Sequence, residues 1–361
     1  MNSDGTIIAI GADLGFSERG GVFVYRYDAG TWIRLGSTIK GSTGSLFGKR
    51  VSMNGAGDVL AVAAPNEGQN GCGMVYSYDG ADWVQMGNDM CGSQANENFG
   101  WRLGLSGEST TTNAMVAFGS NLWKNRRGRV LVYSYDAGTD SWTEMVILKG
   151  ESDNDRFNNI AISNDGTTIA IGSGVDYFKV YQYAQGSWTQ IGTKTEGNMT
   201  GEGFGQTVAL SGDGMTLVAC AKNGLIGGAR TGYIKIYKYD YLIGDWQEWV
   251  QINGGSDGDN FGVDASVNYD GSILVVGAHN MNGIQGCGYV YQYNDVSSVY
   301  VQVSPTGDDA ALMCGDTAGD KLSRGTAISS DGSSVAFASM ESQYARMLKG
   351  VSVSNVVFLH N

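Results

Sequence analysis

The sequence predicts an all-β protein, a seven-bladed β-propeller of four-stranded antiparallel blades. Three observations predict this fold: a repeat of about 55 residues, short runs of alternating polar and apolar residues, and an unusual glycine content. The 361 residues include 56 glycines and 2 prolines, which is typical of many short strands joined by tight turns. The hydrophobic content of 42% suffices for a large core, and residues 1–361 are expected to form a single propeller domain.

Each repeat starts at a Phe-Gly dipeptide or an equivalent pair. The first residues of these pairs are Phe47, Phe99, Phe157, Phe204, Phe261 and Leu322. Four predicted strands, A to D, follow in each repeat. Strand A is a short alternating run that ends at a turn such as Asp213-Gly214, and strand B is small and apolar, as in ILVVGA at 273–278.

Strands C and D carry the aromatic residues of the repeat. Strand C contains a Tyr-x-Tyr signature, as at Tyr76 and Tyr78, and strand D opens on an aromatic residue, as in WVQMGN at 83–88. A single four-stranded unit cannot bury both of its faces. Repeats of this length therefore pack face to face around an axis, as propeller blades do.

The strand count favours seven blades, with six A, seven B, seven C and six D strands. The segments SSVAFASM (333–340) and VSVSNVVFL (351–359) are predicted as strands B and C of the last blade. A six-bladed ring is the alternative, but it leaves 333–358 unused. The last D and the first A strand are missing, so we interpret the chain as a fragment of a longer polypeptide, an incomplete gene model, or a ring with an unconventional closure.

The repeat resembles the FG-GAP repeat of integrin alpha-subunit heads and of microbial and algal surface proteins. Phe47-Gly48 matches the FG, Ala63-Ala64-Pro65 the GAP, and Val75-Tyr76 the strand that follows. Other repeats replace the proline; His279 is one such replacement and is interpreted as a loop residue. The resemblance implies a propeller that recognises ligands outside the cell.

Integrin heads bind calcium in A-to-B hairpins through a DxDxDG run. The hairpins here carry a single acid each, as at Asp165 in SNDG, which is typical of a tight turn rather than of a calcium site. Acids two residues apart occur instead in two D-to-A connections. Calcium is therefore a candidate cofactor at Asp153, Asp155, Asp257 and Asp259, although such acids also suit a solvated loop.

The B-to-C and D-to-A connections share one face and differ from blade to blade, so this variable face is the expected binding surface. One B-to-C loop there combines an aromatic residue with four cations: Trp123, Lys124, Arg126, Arg127 and Arg129. An exposed indole beside these charges could bind an anionic polysaccharide, a carboxylate or an acidic partner. The alternative is a solvated loop whose charges offset nearby acids.

Four cysteines recur at equivalent positions of two repeats. Cys72 and Cys287 begin C strands, and Cys91 and Cys314 follow the D strands of the same blades, so we predict the disulfides Cys72–Cys91 and Cys287–Cys314. Cys220 is expected to be a buried free thiol. Disulfides indicate an oxidising compartment and an extracellular or cell-surface location. The sequence shows no signal peptide and no membrane span, and the missing signal peptide is expected if the N-terminus is incomplete.

The functional prediction is a non-enzymatic module that binds protein or glycan in adhesion or recognition. Only two histidines are present, and no paired catalytic motif is visible, so the chain is not expected to be an enzyme. The net charge of −13 opposes nucleic-acid binding. Two alternatives stay open: a carbohydrate-active enzyme, a glycosidase or lyase with a site at the axial mouth, and an architectural subunit of a larger assembly.

Overall fold

A computed structural model describes residues 1–15, 19–281, 285–304, 313–339, 344–349 and 356–360. These residues form seven antiparallel sheets, each built from strands that are neighbours in sequence. The described helical structure of four residues or more is confined to one turn at Trp123–Arg126. The prediction of an all-β, seven-bladed β-propeller is confirmed, and seven rather than six blades is correct.

The inner strands of the blades are A and B. The A strands are Arg50–Met53, Phe99–Leu105, Asn159–Ile162, Phe204–Leu210, Phe261–Val267 and Gly325–Ile328. The B strands are Ile7–Ala12, Val59–Ala64, Met115–Ser120, Thr168–Gly172, Thr216–Ala221, Ile273–Ala278 and Ser334–Ala338. In the described residues, blade 1 begins at its B strand.

The outer strands are C and D. The C strands are Gly21–Asp28, Cys72–Tyr78, Arg129–Asp136, Tyr177–Ala184, Tyr233–Asp240, Cys287–Asn294 and Tyr344–Lys349. Strand D is split in blade 1 (Thr31–Arg34 and Ile39–Lys40) and in blade 2 (Trp83–Gln85 and Met90–Cys91). The remaining D strands are Ser141–Lys149, Ser187–Glu196, Asp245–Asn253, Val299–Ser304 and Val356–His360.

The last blade differs from the sequence prediction. Tyr344–Lys349, which we expected in a loop, is strand C, and Val356–His360 takes the position of strand D. Ala345 and Met347 are buried, so the segment belongs to the packed sheet. It carries two cations and no Tyr-x-Tyr signature, and for that reason its sequence was not recognised as a strand.

The hydrophobic core lies between neighbouring blades. One cluster joins Val59 and Val75 of blade 2 to Phe99 and Val116 of blade 3, and the other clusters repeat this arrangement. The anchor residues of the six repeats are at most 2% exposed. This explains why the Phe-Gly pair recurs: its side chain fills the space between two sheets.

The chain divides into two compact units, Met1–Ser173 with Tyr183–Trp188 (unit 1), and Gly174–Gln182 with Thr189–Asn361 (unit 2). Within unit 1, backbone hydrogen bonds link successive A-to-B hairpins, from Ser3 to Gly55 and from Gly55 to Gly107. Within unit 2, Tyr269 makes the same kind of bond to Ser330. The hairpin ends of the inner strands are thus tied together, and the opposite ends carry the varied side chains.

Candidate active site

The inner strands place two sets of side chains at the variable face. Strand A contains a β-bulge just after the anchor pair, for example between Phe99 and Arg102 and between Phe261 and Ala265. Bulges re-aim the side chains that follow them. We call the second residue after each anchor the mouth position; these residues are Lys49, Trp101, Asn159, Gln206, Val263 and Arg324.

The residue that follows strand B lies at the same edge, because the end of strand B pairs with the start of strand A. Ala278 pairs with Phe261, for example, and Ala221 with Phe204. In blades 1, 2, 3, 5 and 6 the residue that follows strand B is Asp13, Pro65, Asn121, Lys222 or His279, and in blade 4 the equivalent position is Gly174, two residues after Gly172. The position of the FG-GAP proline therefore lies at the same edge of the blade as the mouth position.

His279 and Arg324 come together between blades 6 and 7 in unit 2. The amide of Ala278 donates to Ser323 Oγ at 3.2 Å, so the residues that directly follow these two, His279 and Arg324, are held side by side. A Cβ on Gly277 would lie 2.2 Å from the Ser323 carbonyl oxygen. Only glycine allows this close approach of the two backbones.

Arg324 is positioned by an acid on the neighbouring A strand. Asp264 Oδ2 accepts a hydrogen bond of 2.7 Å from the amide of Thr326, two residues beyond Arg324. Ser323, just before Arg324, adopts a left-handed φ of 71° and donates to the Cys287 carbonyl oxygen at 2.6 Å. The backbone on both sides of Arg324 is therefore fixed.

His279 is kept uncharged by its surroundings. Burial, and after it the positive charges of Arg324, Lys222 and Lys321, lower the pKa of the imidazole from 6.5 to about 4. Its Nδ1 is buried and has no hydrogen-bond partner among the described residues. A neutral imidazole beside several cations can accept a proton while the cations stabilise a nearby anion.

The equivalent positions of blades 1 and 2, in unit 1, carry a satisfied ion pair. Lys49 Nζ lies 2.7 Å from Asp13 Oδ2, and both side chains are about one-fifth exposed. Lys49 also lies 5.9 Å from the centroid of the Trp101 ring. The same two positions of the repeat thus hold a salt bridge in unit 1 and a neutral histidine beside an arginine in unit 2.

The predicted ligand-binding loop is not the exposed aromatic surface that the sequence suggested. Trp123 is buried, with Lys124, Arg129 and Lys149 over its ring at 4.8, 5.0 and 5.7 Å. Arg129 is itself buried and donates to both carboxylate oxygens of Glu97 at 2.9 Å.

The outer part of the same loop is more open. Lys124 and Arg126 are exposed, and Arg127 contacts Asp153 at 3.4 Å. Ligand binding by Trp123, Lys124, Arg126, Arg127 and Arg129 stays a prediction. With the indole and Arg129 buried, Lys124 and Arg126 are the exposed cations of this loop.

The acids considered for calcium serve to hold their own loops. Asp155 Oδ2 accepts the amides of Glu151 and Ser152, and Asp259 Oδ2 accepts the amide of Ser256. Both lie two residues before an anchor, where each of the six repeats has a buried polar residue: Ser45, Glu97, Asp155, Glu202, Asp259 and Asp320. This recurrence marks a structural cap.

The partner acids lie in the same two loops. Asp153 accepts from Asn125 Nδ2 at 3.0 Å, and Asp257 Oδ1 accepts the Arg230 amide at 2.7 Å. Calcium at Asp153, Asp155, Asp257 and Asp259 stays a prediction. Among the residues that the structure describes, no three His, Cys, Asp or Glu side chains are grouped as a metal site requires.

Both predicted disulfides are confirmed. Cys72 is bonded to Cys91, and Cys287 to Cys314. Cys220 is a buried free thiol, as predicted. The two disulfides are consistent with an extracellular or periplasmic location. In the described residues, no helix has the length and apolarity that a membrane crossing requires.

The fold and this edge together define a β-propeller with a neutral histidine in a basic environment. No protein-family model and no curated protein matches the sequence. Solved structures match over almost the full length. A candidate 6-phosphogluconolactonase from Bacteroides uniformis is 13% identical, with a TM-score of 0.67, over 98% of this chain and 99% of that one.

Two further solved structures carry related names. A candidate 6-phosphogluconolactonase from Bacteroides fragilis is 11% identical, with a TM-score of 0.65, over 98% of this chain and 93% of that one. The periplasmic gluconolactonase PpgL of Pseudomonas aeruginosa is 16% identical, with a TM-score of 0.60, over 98% of both chains. At these identities the likeness establishes the fold alone.

These structures correct the functional prediction from the sequence. We expected a non-enzymatic adhesion or recognition module on the strength of the FG-GAP resemblance. The three propellers above are named as lactonases, none as an FG-GAP or integrin protein. The prediction of a non-enzymatic module is wrong, and the alternative of a carbohydrate-processing enzyme is better supported. The resemblance had captured the architecture of the repeat, which unrelated functions can share.

Proposed function

We propose that this protein is a carbohydrate-processing enzyme that hydrolyses sugar lactones at His279. The observation that carries the proposal is a half-buried, uncharged imidazole acted on by the charges of Arg324, Lys222 and Lys321. The lactonase names of its structural neighbours support the choice of substrate. A glycosidase would need paired carboxylates, whereas the buried acids before the anchors cap their loops.

Lactone hydrolysis uses each of these groups. The imidazole of His279 takes a proton from water, and the resulting hydroxide adds to the lactone carbonyl carbon. Arg324 stabilises the oxyanion of the tetrahedral intermediate. The ring C–O bond then breaks, the imidazolium returns its proton to the leaving alkoxide, and the product is a hydroxy acid. The cations also retain an anionic substituent of the substrate, such as a phosphate.

Binding of an anionic substrate also makes His279 a better base. Burial is the main cause of the lowered pKa of the free imidazole and the three cations add to it, so a negative charge placed among the cations offsets their part and raises that pKa. The base is therefore weak until the substrate is bound. The two disulfides favour action in an oxidising compartment, and the periplasmic or extracellular space meets this condition.

The experiment compares hydrolysis of D-glucono-1,5-lactone and 6-phospho-D-glucono-1,5-lactone by the wild type and by H279Q. We expect kcat to fall by about 100- to 10,000-fold in H279Q, the usual contribution of a general base. The matched control is K194Q, which removes a cation from an outer D strand. Absence of hydrolysis of either lactone by the wild type, or equal rates in H279Q, would contradict the proposal.

The pH dependence provides a second measurement on the same protein. The acid limb of kcat/KM reports the free enzyme and is expected near pH 4, while the limb of kcat lies higher because bound substrate raises the pKa of His279. For stability, the lowered pKa favours the neutral folded form. This stabilisation is complete above pH 6.5 and is lost as the pH falls towards 4. In H279Q, both the acid limb of the rate profile and this loss of stability at acidic pH should be absent.

A further inference from the structure

The hairpin that joins strands C and D of blade 5, in unit 2, carries three consecutive apolar residues at its tip. Tyr241, Leu242 and Ile243 are 69%, 98% and 64% exposed. A run of three exposed apolar residues is unusual on a protein surface unless it serves an interaction. We call these three residues the apolar hairpin. They lie at the opposite end of strand C from the variable face, and they take no part in the chemistry proposed for His279.

The equivalent hairpins of blades 1 to 4 have small or polar tips. Between strands C and D these blades carry AG (29–30), DGAD (79–82), AGTD (137–140) and QG (185–186), whereas blade 5 carries YLIG (241–244). Packing of the blade does not require large apolar residues at this position, since four other blades are built without them. The apolar hairpin is therefore a feature of blade 5 rather than of the repeat.

Hydrogen bonds hold the tip of this hairpin in one conformation. Asp240 Oδ1 accepts the amides of Leu242 and Ile243 at 2.8 and 3.3 Å. The Asp240 carbonyl oxygen accepts the Gly244 amide at 2.7 Å, and Gly244 has a left-handed φ of 73°. A tip that is already ordered loses little conformational entropy when a partner covers it.

The hairpin of blade 6 is built in the same way. Asn294 Oδ1 accepts the amides of Val296 and Ser297 at 3.0 Å each, and Ser298 has a left-handed φ of 55°. Val296 is 97% exposed and stands at the position equivalent to Leu242. Two successive blades thus present an aliphatic side chain at the same ordered position of the turn.

Aspartates surround these two hairpins. Asp240 and Asp245 bracket the apolar hairpin in the sequence. Partial burial lowers the pKa of Lys238, at the end of strand C of blade 5, and three aspartates oppose this shift with their charges: Asp213, Asp295 and Asp270. Their carboxylates are therefore close enough to interact with its ammonium group. An exposed apolar tip is combined here with a rim in which acids outnumber bases.

The charge of this rim distinguishes between possible partners. In a symmetric contact with a second copy of the chain, whose net charge is −13, the same acids would face each other and repel. Anionic lipid headgroups would be repelled for the same reason. A basic surface with apolar side chains is complementary both to the tip and to its rim.

We propose that the apolar hairpin is a docking surface for a partner protein, which binds it through a cationic amphipathic segment. The apolar side chains of that segment cover Leu242 and Ile243, and its lysines or arginines face the aspartates of the rim. The proposal does not depend on lactone hydrolysis, because the hairpin and the variable face lie at opposite ends of the strands and binding alone defines it.

The probe is a synthetic amphipathic peptide of leucine and lysine, titrated into the protein by calorimetry. We expect it to bind the wild type, and L242S/I243S to weaken its binding by about tenfold or more, because the variant removes two aliphatic side chains that the leucines cover. A peptide with serine in place of leucine, or with glutamate in place of lysine, should not bind.

The matched control is I33S/V84S, which also replaces two exposed aliphatic residues. Ile33 and Val84 lie on the D strands of blades 1 and 2 and are 39% and 49% exposed. This variant should bind the peptide as the wild type does, and urea unfolding checks that both variants are folded. D295K keeps the apolar hairpin but reverses one charge of the rim, and it should weaken binding several-fold.

The proposal is overturned if the leucine–lysine peptide does not bind, if L242S/I243S binds it with unchanged affinity, or if the serine–lysine peptide binds equally well. Sedimentation velocity and flotation with phosphatidylcholine vesicles test the other two occupants. Self-association that is lost in L242S/I243S would overturn it in favour of a second copy of the chain. Vesicle binding that is lost in the same variant would overturn it in favour of a lipid surface.

Discussion

The same two positions of the repeat serve different purposes in blades 1 and 6. After strand B of blade 1, Asp13 forms a salt bridge with Lys49 at the next mouth position. After strand B of blade 6, His279 stands beside Arg324 at the next mouth position, and the charges of Arg324, Lys222 and Lys321 add to the burial that lowers the pKa of the imidazole. In one region the charges cancel, whereas in the other a neutral base is surrounded by positive charge.

The difference shows that equivalent positions of a repeat can stabilise the fold in one blade and hold a candidate reactive group in another. The backbone supplies an equivalent pair of neighbouring positions at each junction, because the bulge after the anchor and the end of strand B recur. A pair that satisfies itself stabilises the junction. A pair that keeps a base neutral leaves that base available to a ligand, as active sites do at some cost in stability.

The strongest test of this comparison converts the blade 6 pair into the blade 1 pair. The variant H279D places a carboxylate beside Arg324, as Asp13 stands beside Lys49. We expect lactone hydrolysis to fall about 1,000-fold, since a carboxylate paired with Arg324 is a poor base and also occupies the oxyanion-stabilising charge. The free energy of unfolding should rise by about 1 kcal/mol, because a like-charged cluster gains an anion.

H279N is the control for this variant, because it removes the base without adding a charge. It should lose activity to the same extent but gain no stability in urea unfolding. If H279D keeps wild-type activity, or is destabilised where H279N is not, the two junctions are not interchangeable, and the comparison between them fails.

A smaller effect is expected from the two disulfides, which also differ in their neighbours. Removal of either one, as C72S/C91S or C287S/C314S, should cost about 2–4 kcal/mol of unfolding free energy, since the bridges span 19 and 27 residues. Only the second should also lower kcat/KM, by several-fold. The carbonyl of Cys287 accepts the hydrogen bond from Ser323 that positions Arg324.

Chemical unfolding and lactone kinetics on both double variants provide the measurement. Wild-type kcat/KM values in both variants, at temperatures where both are folded, would show that the Cys287 carbonyl does not position Arg324. Equal losses of kcat/KM would show that disulfide removal acts through general loosening rather than through this hydrogen bond.

The sequence alone predicted the fold because each repeat places large side chains at the same positions, where they fill equivalent spaces between strands and sheets. The anchor side chains, five phenylalanines and Leu322, are buried. The second tyrosine of strand C packs against the aromatic residue of strand D, as in Tyr78 and Trp83 with ring centroids 5.5 Å apart. The last blade was misassigned where this signal fades. Tyr344–Lys349 is a strand without the signature, and its buried Arg346 pairs with Asp316.

The candidate site was missed because its residues are exceptions to the repeat. His279 was interpreted as a loop residue that replaces a proline, although its rarity at that position was the useful signal. Conversely, Asp155 and Asp259 were considered as calcium ligands because they are acidic, but they occupy a position that is polar and buried in each repeat. An alignment of the repeats therefore distinguishes capping residues, which recur, from candidate catalytic residues, which occur once. The burial of Trp123, in contrast, could be recognised only from the structure.

The smallest expected effect is at the blade 1 junction itself. A double-mutant cycle of D13N, K49Q and D13N/K49Q should give a coupling free energy of about 0.5–1 kcal/mol, because both side chains are partly exposed and salt screens such pairs. Urea unfolding at low and high ionic strength measures it, and the coupling should decrease at high salt. A coupling above about 3 kcal/mol would mean that the pair behaves as a buried one. The contrast with His279 would then be one of burial rather than of compensation.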